Sequence, residues 1–153
     1  MKRILTTIII LFTGLCAAAQ IANPVQWNYT AKKIADKTFE IHMTATIQGG
    51  KYHIYAQNNS KDGPVPTSFT FTKNPLLTLT GTVKEVGKMV SKFEEVFGFK
   101  VNYYENKVDF VQLVKTRVTA PVTLGGQVEY MVCDDKQCLP PKQVPFSIKL
   151  GGS

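Results

Sequence analysis

The chain has 153 residues, 44% of them hydrophobic and 19% charged, enough for one domain built around a single core. Its formal charge of +7 comes from 18 Lys and Arg scattered among 11 Asp and Glu, without the basic stripe and exposed aromatics of a nucleic-acid binder, and that class is set aside. No repeat or low-complexity tract is present, and beyond the first residues no stretch is apolar enough to cross a membrane.

The amino terminus reads as an export signal. Lys2 and Arg3 give a charged start, Ile4 to Leu15 is an apolar run too short to span a bilayer, and Ala17, Ala18 and Ala19 supply small residues for a signal peptidase. Cleavage is expected before Gln20, leaving residues 1–19 as signal peptide and 20–153 as the domain. A lipoprotein anchored through Cys16 is the weaker alternative, because Leu15 stands where such signals carry a small residue. In both cases Cys16 leaves the count of free thiols, and the chain is expected in the periplasm or secreted, where disulfides persist.

Phe39, Ile41, Met43, Ala45 and Ile47 alternate with Glu40, His42, Thr44 and Thr46, the two-residue repeat of a strand with one wet face. Shorter runs of the same kind are expected as strands at Val25 to Tyr29, Tyr52 to Ala56, Ser68 to Thr72, Leu76 to Val83, Val108 to Val114, Val118 to Leu124, Gln127 to Cys133 and Val144 to Leu150. Turn signals separate them at Gly49-Gly50, Asp62-Gly63-Pro64, Asn74-Pro75, Glu105-Asn106 and Gly125-Gly126. The spacing predicts an all-β fold, a single immunoglobulin-like β-sandwich domain. Between Gly87 and Lys100 the pattern changes. Met89, Phe93, Val96 and Phe97 fall three and four apart and predict a helical turn, either a functional excursion or a plug for one end of the sandwich.

Cys133 and Cys138 are the only cysteines beyond the signal. A six-residue ring gains only about 2 kcal/mol from loop closure, against roughly 4.7 for a ring of a hundred residues, so the spacing suits a bond that is made and broken better than a staple. With Asp134 to Gln137 as a hairpin loop the two cysteines oppose each other at its base, at an α-carbon separation of about 4.5 to 5.5 Å that a disulfide tolerates. Pro140 and Pro141 then end regular pairing and leave the hairpin end accessible. Asp134 and Asp135 oppose thiolate formation at Cys133, with Lys136 a partial offset, so the pair is expected to be attacked by a more acidic partner thiol. With Cys138 replaced, Cys133 is the sulfur expected to hold a partner in a mixed disulfide.

Three stretches carry a family resemblance. Gly50-Lys51-Tyr52-His53-Ile54-Tyr55-Ala56-Gln57, Val96-Phe97-Gly98, and Val128-Glu129-Tyr130 through Cys138-Leu139-Pro140-Pro141 resemble the Gly-aromatic-His-Ile-Tyr segment, the cap loop and the redox hairpin of the amino-terminal periplasmic domain of the thiol:disulfide interchange protein DsbD. The resemblance implies an immunoglobulin-like sandwich whose cysteine pair, here Cys133 and Cys138, passes electrons between thioredoxin-like exported oxidoreductases. It implies a cap loop at Val96, Phe97 and Gly98, acidic neighbours at Glu94 and Glu95, and aromatic support at Tyr55 and His53. The full family protein continues into a membrane-embedded electron conductor and a thioredoxin-like domain, so this chain is expected either to draw electrons from a separate membrane protein, to serve another exported reductase, or to have kept the fold without the relay role. No metal, small-molecule cofactor or nucleic acid enters the scheme.

The cap also has a physical rationale. An apolar side chain over the sulfurs excludes stray thiols and gives selectivity by access, with Gly98 as a hinge; plain core packing of Phe97 is the competing reading. A cysteine hydrolase using Cys133 with His42 or His53 lacks a signature that brings them together, and the histidine spacing fits no common zinc site. Trp27 and the tyrosines read as core or interface aromatics, with a carbohydrate or peptide groove as the sharper alternative. Whether the module is an oxidoreductase stays open against one rival: a non-enzymatic immunoglobulin-like protein-binding module with a permanent Cys133–Cys138 bridge.

Overall fold

The computed structural model describes residues 23–60, 62–95 and 97–152. The expected signal peptide, its cleavage site, Cys16 and Val96 lie outside the described residues. Those described form nine antiparallel strands in two sheets and no helix, the expected all-β sandwich.

The larger sheet is organised by β6 (Phe99–Thr116). One edge of β6 pairs along its length with β5 (Leu77–Glu94). Its other edge is shared, first by β3 (His53–Tyr55) at Tyr103 and Tyr104, then by β2 (Thr38–Ile47) from Lys107 to Lys115. β1 (Val25–Ala35) continues the sheet beyond β2, and β8 (Val132–Cys133) continues it beyond β3. The smaller sheet has the order β4 (Ser68–Phe71), β7 (Val122–Tyr130), β9 (Lys142–Leu150).

The alternation read in β2 is realised. Phe39, Ile41, Met43, Ala45 and Ile47 are buried while Glu40, His42 and Thr44 are half-exposed. Inward residues of the larger sheet, among them Ile41, Met43, Val108, Phe110 and Val114, meet Leu124, Val128, Tyr130, Phe146, Ile148 and Leu150 of the smaller one. Trp27 packs among Phe69, Phe110 and Tyr130 with ring centroids 5.5 to 6.0 Å away, the core placement of the two expected of it.

Four expectations are corrected. The segment Gly87 to Lys100 is not helical. β5 runs to Glu94, Glu95, Phe97 and Gly98 lie in turn conformation, and the chain returns as β6, so Met89 and Phe93 stand on a strand, 52% and 55% exposed. With a partner on one edge only, β5 carries no enforced alternation there, and a few apolar side chains fell by coincidence at helical spacing. Glu105-Asn106 is a bulge inside β6, not a turn: pairing jumps from Gly87↔Val108 to Met89↔Tyr104 where the far edge of β6 changes partner from β2 to β3. Gly125-Gly126 lies in mid-β7. The strand expected from Val118 starts at Val122, directly after Pro121, which has no N–H for a ladder.

Candidate redox site

The site is built on the outer face of the larger sheet, away from the main core. Neighbouring residues of a strand point to opposite faces and directly paired residues share one. Ile54, Tyr104 and Val132 therefore point into the main core. His53 pairs with Cys133, and Tyr55 with Tyr103, on the reverse side. There Tyr55, Val101, Tyr103 and Cys133 form a second buried cluster, against which Val90, Phe97, Phe99 and Met131 pack.

Cys133 and Cys138 are disulfide-bonded across the base of the hairpin, with α-carbons 4.0 Å apart. The hairpin is closed by Asp134 N–H donating to Gln137 O at 2.9 Å and Leu139 N–H donating to Val132 O at 2.8 Å. Asp134 is occupied as a turn former. Its Oδ1 accepts from the N–H of Lys136 and of Gln137, both at 2.9 Å, and Lys51 Nζ lies 3.4 Å from its Oδ2. Those two backbone N–H groups, with Lys51 behind them, hold its carboxyl below the ordinary range. The two sulfurs differ in access: Cys133 is 2% exposed, whereas Cys138 is exposed at the end of the loop.

Around Cys133 the polar groups belong to aromatic residues. His53 Nε2 and Tyr55 Oη are 3.2 Å apart, and the His53 ring lies tilted on Tyr103 with centroids 4.4 Å apart. Burial pushes the Tyr55 phenol up to about 12, with Glu94 and Tyr103 adding to it. Burial pulls the His53 imidazole below its ordinary value, opposed by Asp135, Glu94 and Glu105. Thr67 Oγ1 donates to Tyr55 O at 2.6 Å and pins this end of β3. Asn59 clips the following loop to β6: its Oδ1 accepts from Asn102 N–H and its Nδ2 donates to Asn102 O, both at 2.8 Å.

The tip of the β5–β6 hairpin covers the cluster. Phe97 and Gly98 N–H both donate to Glu94 O, and Gly98 takes a φ of 74°, a left-handed angle that glycine adopts without strain. Phe97 is half-buried and stacks on Phe99 at 5.9 Å. Glu94 pairs with Lys92 at 3.1 Å, while Glu95 lies exposed in the turn. Of the candidate residues, the fold thus gathers Cys133, Cys138, His53, Tyr55, Glu94, Phe97 and Gly98 at one end of one face. His42 instead faces Asp109, with Nδ1 2.6 Å from Oδ2, so it is engaged within the β2–β6 pair. Tyr103, Val101, Val90, Phe99 and Met131 escaped the sequence reading. The adjacent tyrosines Tyr103 and Tyr104, both buried, were the signal: consecutive buried residues in a strand mean that both faces are covered. Among the described residues no group of three or more His, Cys, Asp and Glu side chains is placed to hold a metal ion.

No family model and no curated protein matches this chain. Solved structures do. The reduced N-terminal domain of DsbD from Neisseria meningitidis is 18% identical, over 84% of this chain and 87% of its own, with a TM-score of 0.56. The N-terminal periplasmic domain of ScsB from Proteus mirabilis is 16% identical with the same TM-score, over 84% of this chain and 47% of that one, so this chain spans about half of it. A complex between the DsbD N-terminal and PilB N-terminal domains from N. meningitidis gives 14% identity over 84% and 87%, with a TM-score of 0.51. The family resemblance seen in three short stretches is therefore matched by the whole architecture, and the chain has the fold of the DsbD N-terminal domain.

Proposed function

We propose that the protein is an exported thiol:disulfide exchange module whose Cys133–Cys138 disulfide passes electrons between thioredoxin-like partners in the periplasm, residues 1–19 being the export signal. The observation that carries the reading is the asymmetry of the cystine. One sulfur is open to a partner and the other is held beneath aromatic side chains, as a bond needs to be if it is to be opened from one direction by a docked protein. The solved complex of the Neisseria DsbD domain with a PilB domain supports protein partners for this fold. The name of the Proteus relative supports the compartment.

The chemistry is exchange through a mixed disulfide. A partner thiolate attacks Cys138 Sγ, the S–S bond breaks, and Cys133 departs with the electron pair. The reduction potential tests the reading. We expect it above about −300 mV, within reach of thioredoxin-like donors; a value well below that is the mark of a permanent bridge in a binding module.

Phe97 is the lid residue in this scheme, with Gly98 its hinge and Glu94 and Glu95 its acidic flank. Its ring packs on the cluster that holds Cys133 from a short hairpin tip, so its removal uncovers Cys133, and with it a second direction of attack, without hollowing the main core. Phe97→Ala is expected to speed reduction of the disulfide by small thiols on the order of fivefold. An unchanged rate in stopped-flow assays would remove Phe97 from the lid.

A further inference from the structure

We propose that His53 is the proton-transfer partner of Cys133: it protonates the Cys133 thiolate as that sulfur leaves the disulfide and takes the proton back when Cys133 is to act as a nucleophile. The inference rests on the exchange reading above and adds the residue that handles the proton.

His53 and Cys133 are directly paired in the β3–β8 ladder, so their side chains rise from the same face with β-carbons about 5 Å apart. Both pack against the same two tyrosines. Cys133 is clustered with Tyr55 and Tyr103, while the imidazole lies on Tyr103 and meets Tyr55 edge-on, with centroids 4.4 and 5.2 Å apart. The contact between Nε2 and Tyr55 Oη fixes the ring and leaves Nδ1 free of any partner among the described residues.

A thiolate expelled at Cys133 is cut off from water, because that side chain is 2% exposed. A buried anion is costly unless it is neutralised. The other ionisable groups that face His53 are Lys92 and Glu94 from β5, Glu105 and Tyr103 from β6, Tyr55 from β3 and Asp135 from the hairpin loop. Three of these are carboxylates, which discourage a thiolate further. Lys92 is committed to Glu94 at 3.1 Å. His53, paired directly across from Cys133 in the ladder, is the residue placed to supply a proton.

The step balances. A dithiol gives up a proton to solvent and attacks Cys138 Sγ as thiolate. The Cys133–Cys138 bond breaks, and the electron pair leaves on Cys133 Sγ. The His53 imidazolium passes its proton to that sulfur and is recharged from solvent. The second thiol of the donor then attacks its own mixed disulfide and expels Cys138, which is protonated by water. The donor ends as a disulfide and the protein as a dithiol, two electrons and two protons having moved.

The test is reduction of the full folded protein by dithiothreitol between about pH 8 and about pH 5, with each rate divided by the dithiothreitol thiolate concentration. In the wild type this rate constant is expected to rise on the order of tenfold as the pH falls, because protonated His53 assists the leaving group. Burial lowers the imidazole pKa, so the rise belongs below the ordinary histidine range, and its midpoint should coincide with the His53 ring titration followed by NMR. His53→Gln keeps a polar contact for Tyr55 but cannot titrate, and its profile is expected to be flat. A structural role alone would shift rates at all pH values together and leave the slope. A His53→Gln profile as steep as that of the wild type, or a rate midpoint displaced from the ring titration, would overturn the role of His53 and leave the exchange module standing. A cystine that dithiothreitol leaves intact in the native protein overturns both.

Discussion

Cys133→Ala is expected to capture a thioredoxin-like domain as a mixed disulfide through Cys138, and Cys138→Ala to capture on the order of tenfold less or worse. The ranking comes from access. Disulfide exchange needs the incoming thiolate to approach one sulfur along the S–S axis, from the side away from the leaving sulfur. At Cys138 that side opens on the exposed loop end. At Cys133 it runs into Tyr55, Val101 and Tyr103, with the hairpin tip above them. A lone Cys138 thiol can therefore meet a partner, while a lone Cys133 thiol must wait for the cluster to part. The experiment mixes each variant with an oxidised thioredoxin-like domain that retains only its attacking cysteine, activated as a mixed disulfide with a small thiol, and measures the covalent complex by non-reducing electrophoresis and mass spectrometry. Equal capture, or a preference for Cys133, would sink the assignment. This ordering reverses the expectation drawn from the hairpin alone. Spacing places two cysteines opposite each other but does not say which face of the sheet is covered.

That difference marks what was readable from the chain. The strict alternation of β2 was legible because one face is core and the other solvent, so burial wrote itself into every second residue from Phe39 to Ile47. The cystine was legible because four residues between cysteines and two prolines after them leave little besides a hairpin. The strand character of Met89 and Phe93 was not. β5 is an edge strand whose side chains there face solvent, and no burial enforces a period. The bulge at Glu105 and Asn106 looked like a turn because both interrupt alternation with polar residues; only the change of partner on the far edge of β6 distinguishes them. Sequence reading singled out His53 and Tyr55 by resemblance to a motif. Tyr103 and Val101, which make the same pocket, sit on a strand that is covered on both faces before the bulge, with Tyr104 on the main-core side, and chiefly on the side of Val108 and Phe110 after it. A single period fitted through β6 cannot see that change.

Gly126→Ala is expected to destabilise the oxidised protein by about 3 kcal/mol, at the upper end of the overpacking range, while Gly125→Ala stays within about 1 kcal/mol of the parent. The two glycines read together as a turn, yet both lie inside β7 and have opposite surroundings. A β-carbon on Gly126 would sit 2.6 Å from Phe146 Cζ and 2.6 Å from Thr70 O, while one on Gly125 meets nothing closer than Thr72 Oγ1 at 3.5 Å, an ordinary contact. Neither obstacle at Gly126 can retreat cheaply. Thr70 O is backbone of β4, in register with β7 from Ser68↔Glu129 to Phe71↔Gly126. The Phe146 ring is held between Tyr29, stacked at 5.2 Å, and Phe71, edge-on at 5.8 Å. The added methyl must therefore part β4 from β7 or drive an aromatic ring out of the core. Glycine in a strand weakens it through unfolded-state entropy and a missing side chain, and at Gly126 close approach of ring and backbone outweighs that loss. Urea unfolding of the two variants decides the matter. Equal stabilities would mean that β7 adjusts freely around Gly126, and would remove the tight packing of the smaller sheet as the anchor from which the Cys133–Cys138 hairpin extends.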